Sequence, residues 1–169
     1  IYSHLGWREI NGSWLYLHAG GAIGPGSENV EVEISERLRQ YSLPTETGDV
    51  KEALKASLSL LELGPKKIMY PLLALVYLAP LCESLRQAGI EPSLLSYIWG
   101  VSGSKKSTLI ALLLTHFGSF EHTGLPASFR DTANSIEKLA FLAKDTVLAV
   151  DDLYPAREPK ERAKLEGVL

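Results

Sequence analysis

The chain has 169 residues, enough for one domain of ordinary size or two small ones. Its 46% hydrophobic and 22% charged content excludes collagen, coiled-coil and disordered classes. With 20 acidic residues against 17 basic, the net charge of −3 argues against a dedicated basic nucleic-acid-binding module, whose phosphate contacts need clustered Lys and Arg. It leaves room for a DNA motor, in which a few loop residues touch the strand and most of the surface faces water.

Residues 1–47 read as a β-rich N-terminal module. Asn11-Gly12 is a hairpin-turn signal ahead of the strand-prone Trp14–His18, and Val30–Ile34 alternates apolar and acidic residues as a half-buried strand does. The Gly20–Gly26 stretch is Gly-rich, but Pro25 interrupts it and no helix pattern follows. It reads as a connection rather than a phosphate loop.

Residues 48–92 read as a helical segment. Val50, Leu54, Leu58 and Leu61 recur at helical spacing and are expected in the core, with Gly64-Pro65 as the stop. A second helix is expected from Pro71 to Ala88, kinked or broken at Pro80 and stopped by Gly89. The apolar run Ile68–Cys82 falls short of the about 20 residues that cross a bilayer and reads as a buried helix.

Residues 93–169 carry the chemistry. Leu94–Trp99 is a strand candidate running into Gly100-Val-Ser-Gly-Ser-Lys-Lys-Ser107, and then into an apolar helix that ends near Gly118. Strand, Gly-containing loop ending in Lys-Ser, then helix is the context of a P-loop, where backbone N–H groups at a helix N-terminus cradle phosphates. Gly100 takes the first position of G-x-x-x-x-G-K-[ST], Lys106 the lysine and Ser107 the hydroxyl. Lys105 replaces the second glycine, leaving Gly103 to loosen the turn. The candidate nucleotide contacts are Gly100, Gly103, Ser104, Lys105, Lys106, Ser107 and Thr108.

Asp131 or Thr132 caps a helix through about Lys144, with Ile136, Leu139, Ala140 and Ala143 on one face. Thr146–Val150 is a continuous apolar run, as in a parallel strand buried on both faces, and it ends in Asp151-Asp152. A P-loop enzyme needs a carboxylate there to hold Mg²⁺ beside the Ser hydroxyl, so Asp151 and Ser107 are the candidate metal ligands. Leu94–Trp99 and Val147–Asp151 are accordingly expected as parallel neighbours, with Lys106 and Asp151 facing one crevice. Pro155 and Pro159 precede a charged helix start.

Several stretches resemble a bacterial and phage family of helicase-like ATPases on mobile elements, a domain of unknown function often described as superfamily II helicase-like. They are Gly6-Trp-Arg8, Trp14–Gly24, Gly100–Ser107, Leu125–Ser128, Thr132–Glu137, Phe141–Asp145 and Asp151–Pro155. Members often lack the second P-loop glycine. Asp151-Asp152 is also similar to the magnesium strand of viral superfamily 3 helicases.

The resemblance implies an α/β fold, a partial RecA/AAA+-like P-loop ATPase core with a parallel sheet. Helices and the β-rich module precede it. It implies ATP and Mg²⁺ as cofactors, DNA as partner, a homo-oligomer, and action in mobile-element or phage replication. Lys106 then neutralises the β and γ phosphates, Ser107 binds Mg²⁺, Asp151 holds its water shell, and Asp152 orients or deprotonates the attacking water. Thr132, Asn134 and Glu137 match the family pattern without an assigned role.

Two other functions compete. A P-loop kinase-like enzyme calls for an Arg-rich lid, yet Arg130 is the only arginine between Lys106 and Asp152. A non-catalytic nucleotide-binding scaffold is favoured by Lys105. The lone Cys82 and scattered histidines give no disulfide or zinc pattern, which fits a reducing, cytoplasmic setting without a membrane span. The absence of an initial Met and the helix-like end suggest a piece of a longer protein.

Overall fold

The computed structural model describes residues 1–46 and 48–153. The charged helix start expected after Pro159 lies outside them, as do Tyr154 and Pro155. The first 23 residues build a three-stranded antiparallel sheet in the order β1 (Gly6–Ile10), β2 (Ser13–His18), β3 (Gly21–Ile23). Asn11 and Gly12 both take positive φ, 51° and 78°, the geometry that lets a two-residue turn follow the strand twist. Val30–Ile34 does not form the expected strand. Only Val32 bridges, to Tyr2 in parallel, because the stretch meets the chain's first residues instead of the edge of the sheet.

Helix α1 (Val50–Ser59) begins at Asp49, whose carboxylate accepts from the Lys51 and Glu52 N–H groups. Of the apolar stripe expected in the core, Val50, Leu54 and Leu58 are exposed, while Leu61, in the 3₁₀ turn that follows, packs half-buried against it; Ser57 is the buried residue of the helix. Ser57 Oγ lies 2.7 Å from His116 Nε2 and 2.8 Å from the Tyr77 hydroxyl, so α1 is seated by a polar joint.

Helix α2 (Lys66–Leu78) starts earlier than Pro71 and carries that proline inside it. Pro80 falls in a single 3₁₀ turn, Ala79–Leu81, before α3 (Cys82–Gln87). The tighter turn tolerates the missing N–H, so the helical run continues through Pro80. Lys66–Gln87 is thus one helical run of 22 residues, long and apolar enough to cross a membrane by length and composition, which corrects the shorter estimate. Met69, Leu72, Leu73 and Val76 on it are buried in the protein.

Helix α4 (Lys106–Leu114) follows the glycine-containing loop and closes with a 3₁₀ turn before Gly118. Helix α5 (Ala133–Leu142) is capped by Thr132, whose hydroxyl accepts from the Ser135 N–H. Ile136, Leu139 and Ala143 of its expected face are buried, whereas Ala140 is exposed.

A second sheet pairs β4 (Ala127–Ser128) with β5 (Val150–Asp151) in parallel, in the register Ala127 to Val150 and Ser128 to Asp151. The expected pairing of β5 with Leu94–Trp99 is therefore corrected. Residues 91–100 form neither helix nor strand, and Leu95 and Trp99 are 80% and 86% exposed. A strand needs a neighbour to satisfy its backbone groups, and the neighbour of β5 is β4. The fold is mixed α/β, and its parallel sheet among the described residues is this two-stranded pair.

One apolar cluster draws on all three parts of the chain. Leu5, Leu38 and Tyr41 join Leu72 and Val76 from α2, Leu114 from α4, Phe117 from the 3₁₀ turn that closes it, and Leu139 and Ala149 from the last part. Polar ties reinforce it. The carboxylate of Asp145 accepts from the Trp7 N–H at 3.0 Å and from the Arg86 guanidinium, and the Tyr16 hydroxyl donates to the Asp145 carbonyl at 3.0 Å. Gly6 sits against this turn at φ 86°, where an added Cβ would lie 2.3 Å from the Lys144 carbonyl oxygen.

Candidate functional site

Three short pieces of chain converge at the start of α4 and the end of β5. The first is the loop Gly100–Lys105. Gly103 has φ 80°, and Lys105 has φ 58° and ψ 29° immediately before the helix. Lys105 thus holds the left-handed conformation that a glycine would adopt without steric cost at the vacated motif position. The substitution keeps the turn and adds a side chain, which is exposed.

Lys106 is half-buried, and its Nζ turns back into the loop. It donates to the Gly100 and Val101 carbonyl oxygens at 3.0 Å each and to Ser104 Oγ at 3.3 Å. The loop therefore closes around the ammonium of its own lysine. Gly100 and Ser104 reach it, while Thr108 begins the exposed side of α4.

The second piece is the first turn of α4 with the end of β5. Ser107 Oγ donates to Asp151 Oδ2 at 2.7 Å across 44 positions of sequence. This joins the two candidate ligands in one place. A hydroxyl and a carboxylate form a hard-oxygen set of the kind Mg²⁺ takes with one or two carboxylates, water and substrate phosphates. Among the described residues no three His, Cys, Asp or Glu side chains are grouped as a metal-holding cluster.

The third piece is the turn after β4. The Phe129 N–H donates to the Asp151 carbonyl at 2.8 Å, and the Asp131 N–H to the Ser128 carbonyl at 2.9 Å. Asp131 Oδ2 accepts from the Ser128 N–H at 3.0 Å and, with Oδ1, holds the two terminal nitrogens of Arg37 at 2.6 and 2.9 Å. That hydrogen bonding raises the Arg37 guanidinium above its ordinary value. On this turn Arg130 Nε stands 3.5 Å from Asp152 Oδ2. Asp152 itself has φ 61°, a left-handed residue right after the strand.

The sequence-derived residues Ser107 and Asp151 are thus brought together. Lys106 is next to them in the chain, with its amine on the loop, and Asp152 is paired with Arg130. Arg130 was not among the candidates. Its signal was its place just after the short strand that pairs with the Asp151 strand. Of the resemblance residues, Thr132 is the α5 cap, and Asn134 and Glu137 are exposed on that helix.

No curated protein and no solved structure matches the chain. Residues 1–165 match the family described as domain of unknown function DUF927, and the chain belongs to that family.

Proposed function

We propose that the chain is the nucleotide-binding part of a P-loop ATPase, a helicase- or translocase-type motor acting on DNA in mobile-element or phage replication. The observation that carries the nucleotide reading is the 2.7 Å bond from Ser107 to Asp151, because it joins a Lys-Ser helix start to a strand-end carboxylate. In this reading Lys106 exchanges its loop carbonyls for the β and γ phosphates of ATP. Ser107 and Asp151 supply oxygen donors whose chemistry fits Mg²⁺, which when bound screens phosphate charge. Asp152 orients or deprotonates the attacking water.

The motor, DNA, homo-oligomer and cytoplasmic parts of the proposal rest on the resemblance to helicase-like ATPases. A nucleotide-binding scaffold with weak activity is the second reading, favoured by Lys105 at the turn position and by the engagement of Lys106 with its own loop.

The test is equilibrium binding of a labelled ATP analogue with Mg²⁺, together with phosphate release with and without single-stranded DNA. Binding with DNA-stimulated release supports the motor. Release indifferent to DNA favours a kinase-like enzyme, and binding without release favours the scaffold. A chain that binds no nucleotide overturns the reading altogether.

A further inference from the structure

The stretch Val30–Ile34 alternates like a strand but is paired along one edge only. The Tyr2 N–H donates to the Glu31 carbonyl at 2.9 Å, and the Glu33 N–H donates to the Tyr2 carbonyl at 2.8 Å. In extended chain the backbone groups of successive residues point to opposite edges, so those of Val32 face away from Tyr2. Among the described residues neither the N–H nor the C=O of Val32 has a hydrogen-bond partner. A cleft of about 360 Å³ lies here, lined by Val30–Glu33 and by Ala19–Gly21 at the turn into β3. Four consecutive residues line it, from both faces of the stretch, so the cleft meets the open edge. Gly20 and Gly21 add no side chains to it and let another backbone come close. Glu31 and Glu33 fall on one face, exposed and without an ion pair among the described residues, and half-buried Val30 and Val32 fall on the other.

From this arrangement we infer that the cleft takes one extended peptide strand, with basic residues at alternate positions, along the open edge of Val32. The inference stands apart from the nucleotide site and does not depend on it. In strand addition the main chain supplies affinity and alternate side chains supply specificity. Here the N–H and C=O of Val32 are the main-chain groups to be met. Side chains directly opposite one another on paired strands interact, opposite charges favourably and like charges unfavourably. Glu31 and Glu33 therefore select Lys or Arg two residues apart, while Val30 and Val32 suit apolar residues between them. The same rule excludes a second copy of this stretch, because pairing Val-Glu-Val-Glu with itself sets glutamate against glutamate.

The experiment titrates a short labelled peptide alternating lysine and valine into the 169-residue chain, with no nucleotide present, and follows fluorescence anisotropy. A peptide alternating glutamate and valine and a fully N-methylated lysine peptide are run beside it. The lysine peptide should bind and the glutamate peptide should not. Glu31→Gln with Glu33→Gln should weaken the lysine peptide about tenfold, and N-methylation should weaken it at least as much. Glu31→Lys with Glu33→Lys should take up the glutamate peptide instead, a gain that misfolding does not produce. No binding of the lysine peptide overturns the inference, as does binding indifferent to both pairs of glutamate substitutions. Binding indifferent to N-methylation overturns it too, since charge alone then holds the peptide. A chain that doubles its mass on concentration and shuts the peptide out puts a second copy in the cleft, and likewise overturns it.

Discussion

Ser107 Oγ donates a 2.7 Å hydrogen bond to Asp151 Oδ2, and so ties the first turn of α4 to the last residue of β5. Ser107→Ala removes one partly buried hydrogen bond, which should lower stability by only about 1 kcal/mol. Its effect on Mg²⁺-dependent binding of an ATP analogue should be much larger, because it deletes one of two protein oxygen donors. Titrating Mg²⁺ at fixed analogue, beside a urea melt, separates the two. Equal Mg²⁺ dependence in the variant would exclude Ser107 from the metal site.

The two adjacent lysines should differ sharply. Lys106 Nζ is gathered by the loop, whereas Lys105 is exposed. Lys106→Ala should abolish measurable binding of the labelled analogue, and Lys105→Ala should leave most of it. The reverse order would make Lys105 the phosphate lysine. Lys105→Gly should raise stability by up to about 1 kcal/mol, since glycine holds φ 58° without the left-handed cost, minus its greater freedom when unfolded. Thermal denaturation checks this.

Asp152→Asn keeps size and hydrogen-bonding capacity and removes the charge. Nucleotide should stay bound while phosphate release slows by about 10²-fold or more, the usual loss of a general base. Unchanged release would show that this carboxylate takes no proton.

Asp145 carries a wholly buried carboxylate (0% exposed) that holds the Arg86 guanidinium and the Trp7 N–H together. The Arg86 pKa is raised above its ordinary value: burial pulls it down, and the hydrogen bonds it donates to Asp145 and Glu83 outweigh that. Asp145→Ala leaves a partly buried cation short of one partner and should cost about 3 kcal/mol, near the lower end for a broken buried pair because Glu83 remains. Asp145→Asn, which still accepts from Trp7, should cost less. The midpoint of urea unfolding reads both.

His18 makes the fold sensitive to acid. It is buried, and its Nδ1 accepts from the Gly20 N–H at 3.2 Å and the Leu43 N–H at 3.1 Å, which requires that nitrogen to be unprotonated. Burial lowers its pKa below the ordinary 6.5. The unfolded chain therefore takes up the proton first as pH falls. Stability from this group is full above pH 6.5 and declines from there to the lowered folded value, below which it levels off. His18→Gln should flatten that stretch of a stability-against-pH curve. An equally steep decline in the variant would assign it to other groups.

What the sequence by itself determined about this protein is what neighbours along the chain decide. Asn11-Gly12 dictates a tight turn because both positions reach positive φ cheaply. Thr132 caps α5 because its hydroxyl meets an N–H three residues on, and the lysine-serine helix start follows from its own loop. Asp151 at a strand end was legible from the apolar run before it.

Tertiary structure alone decided which strand lies beside Asp151. The apolar Leu94–Trp99 had the stronger strand composition, yet two residues, Ala127 and Ser128, hold the place. It also turned the α1 stripe outward, seated that helix through Ser57, and set Arg130 against Asp152. Periodicity says that a face is apolar, but not what it will meet. Partners far apart in sequence are chosen by the packing of the whole chain, and no local pattern contains that choice.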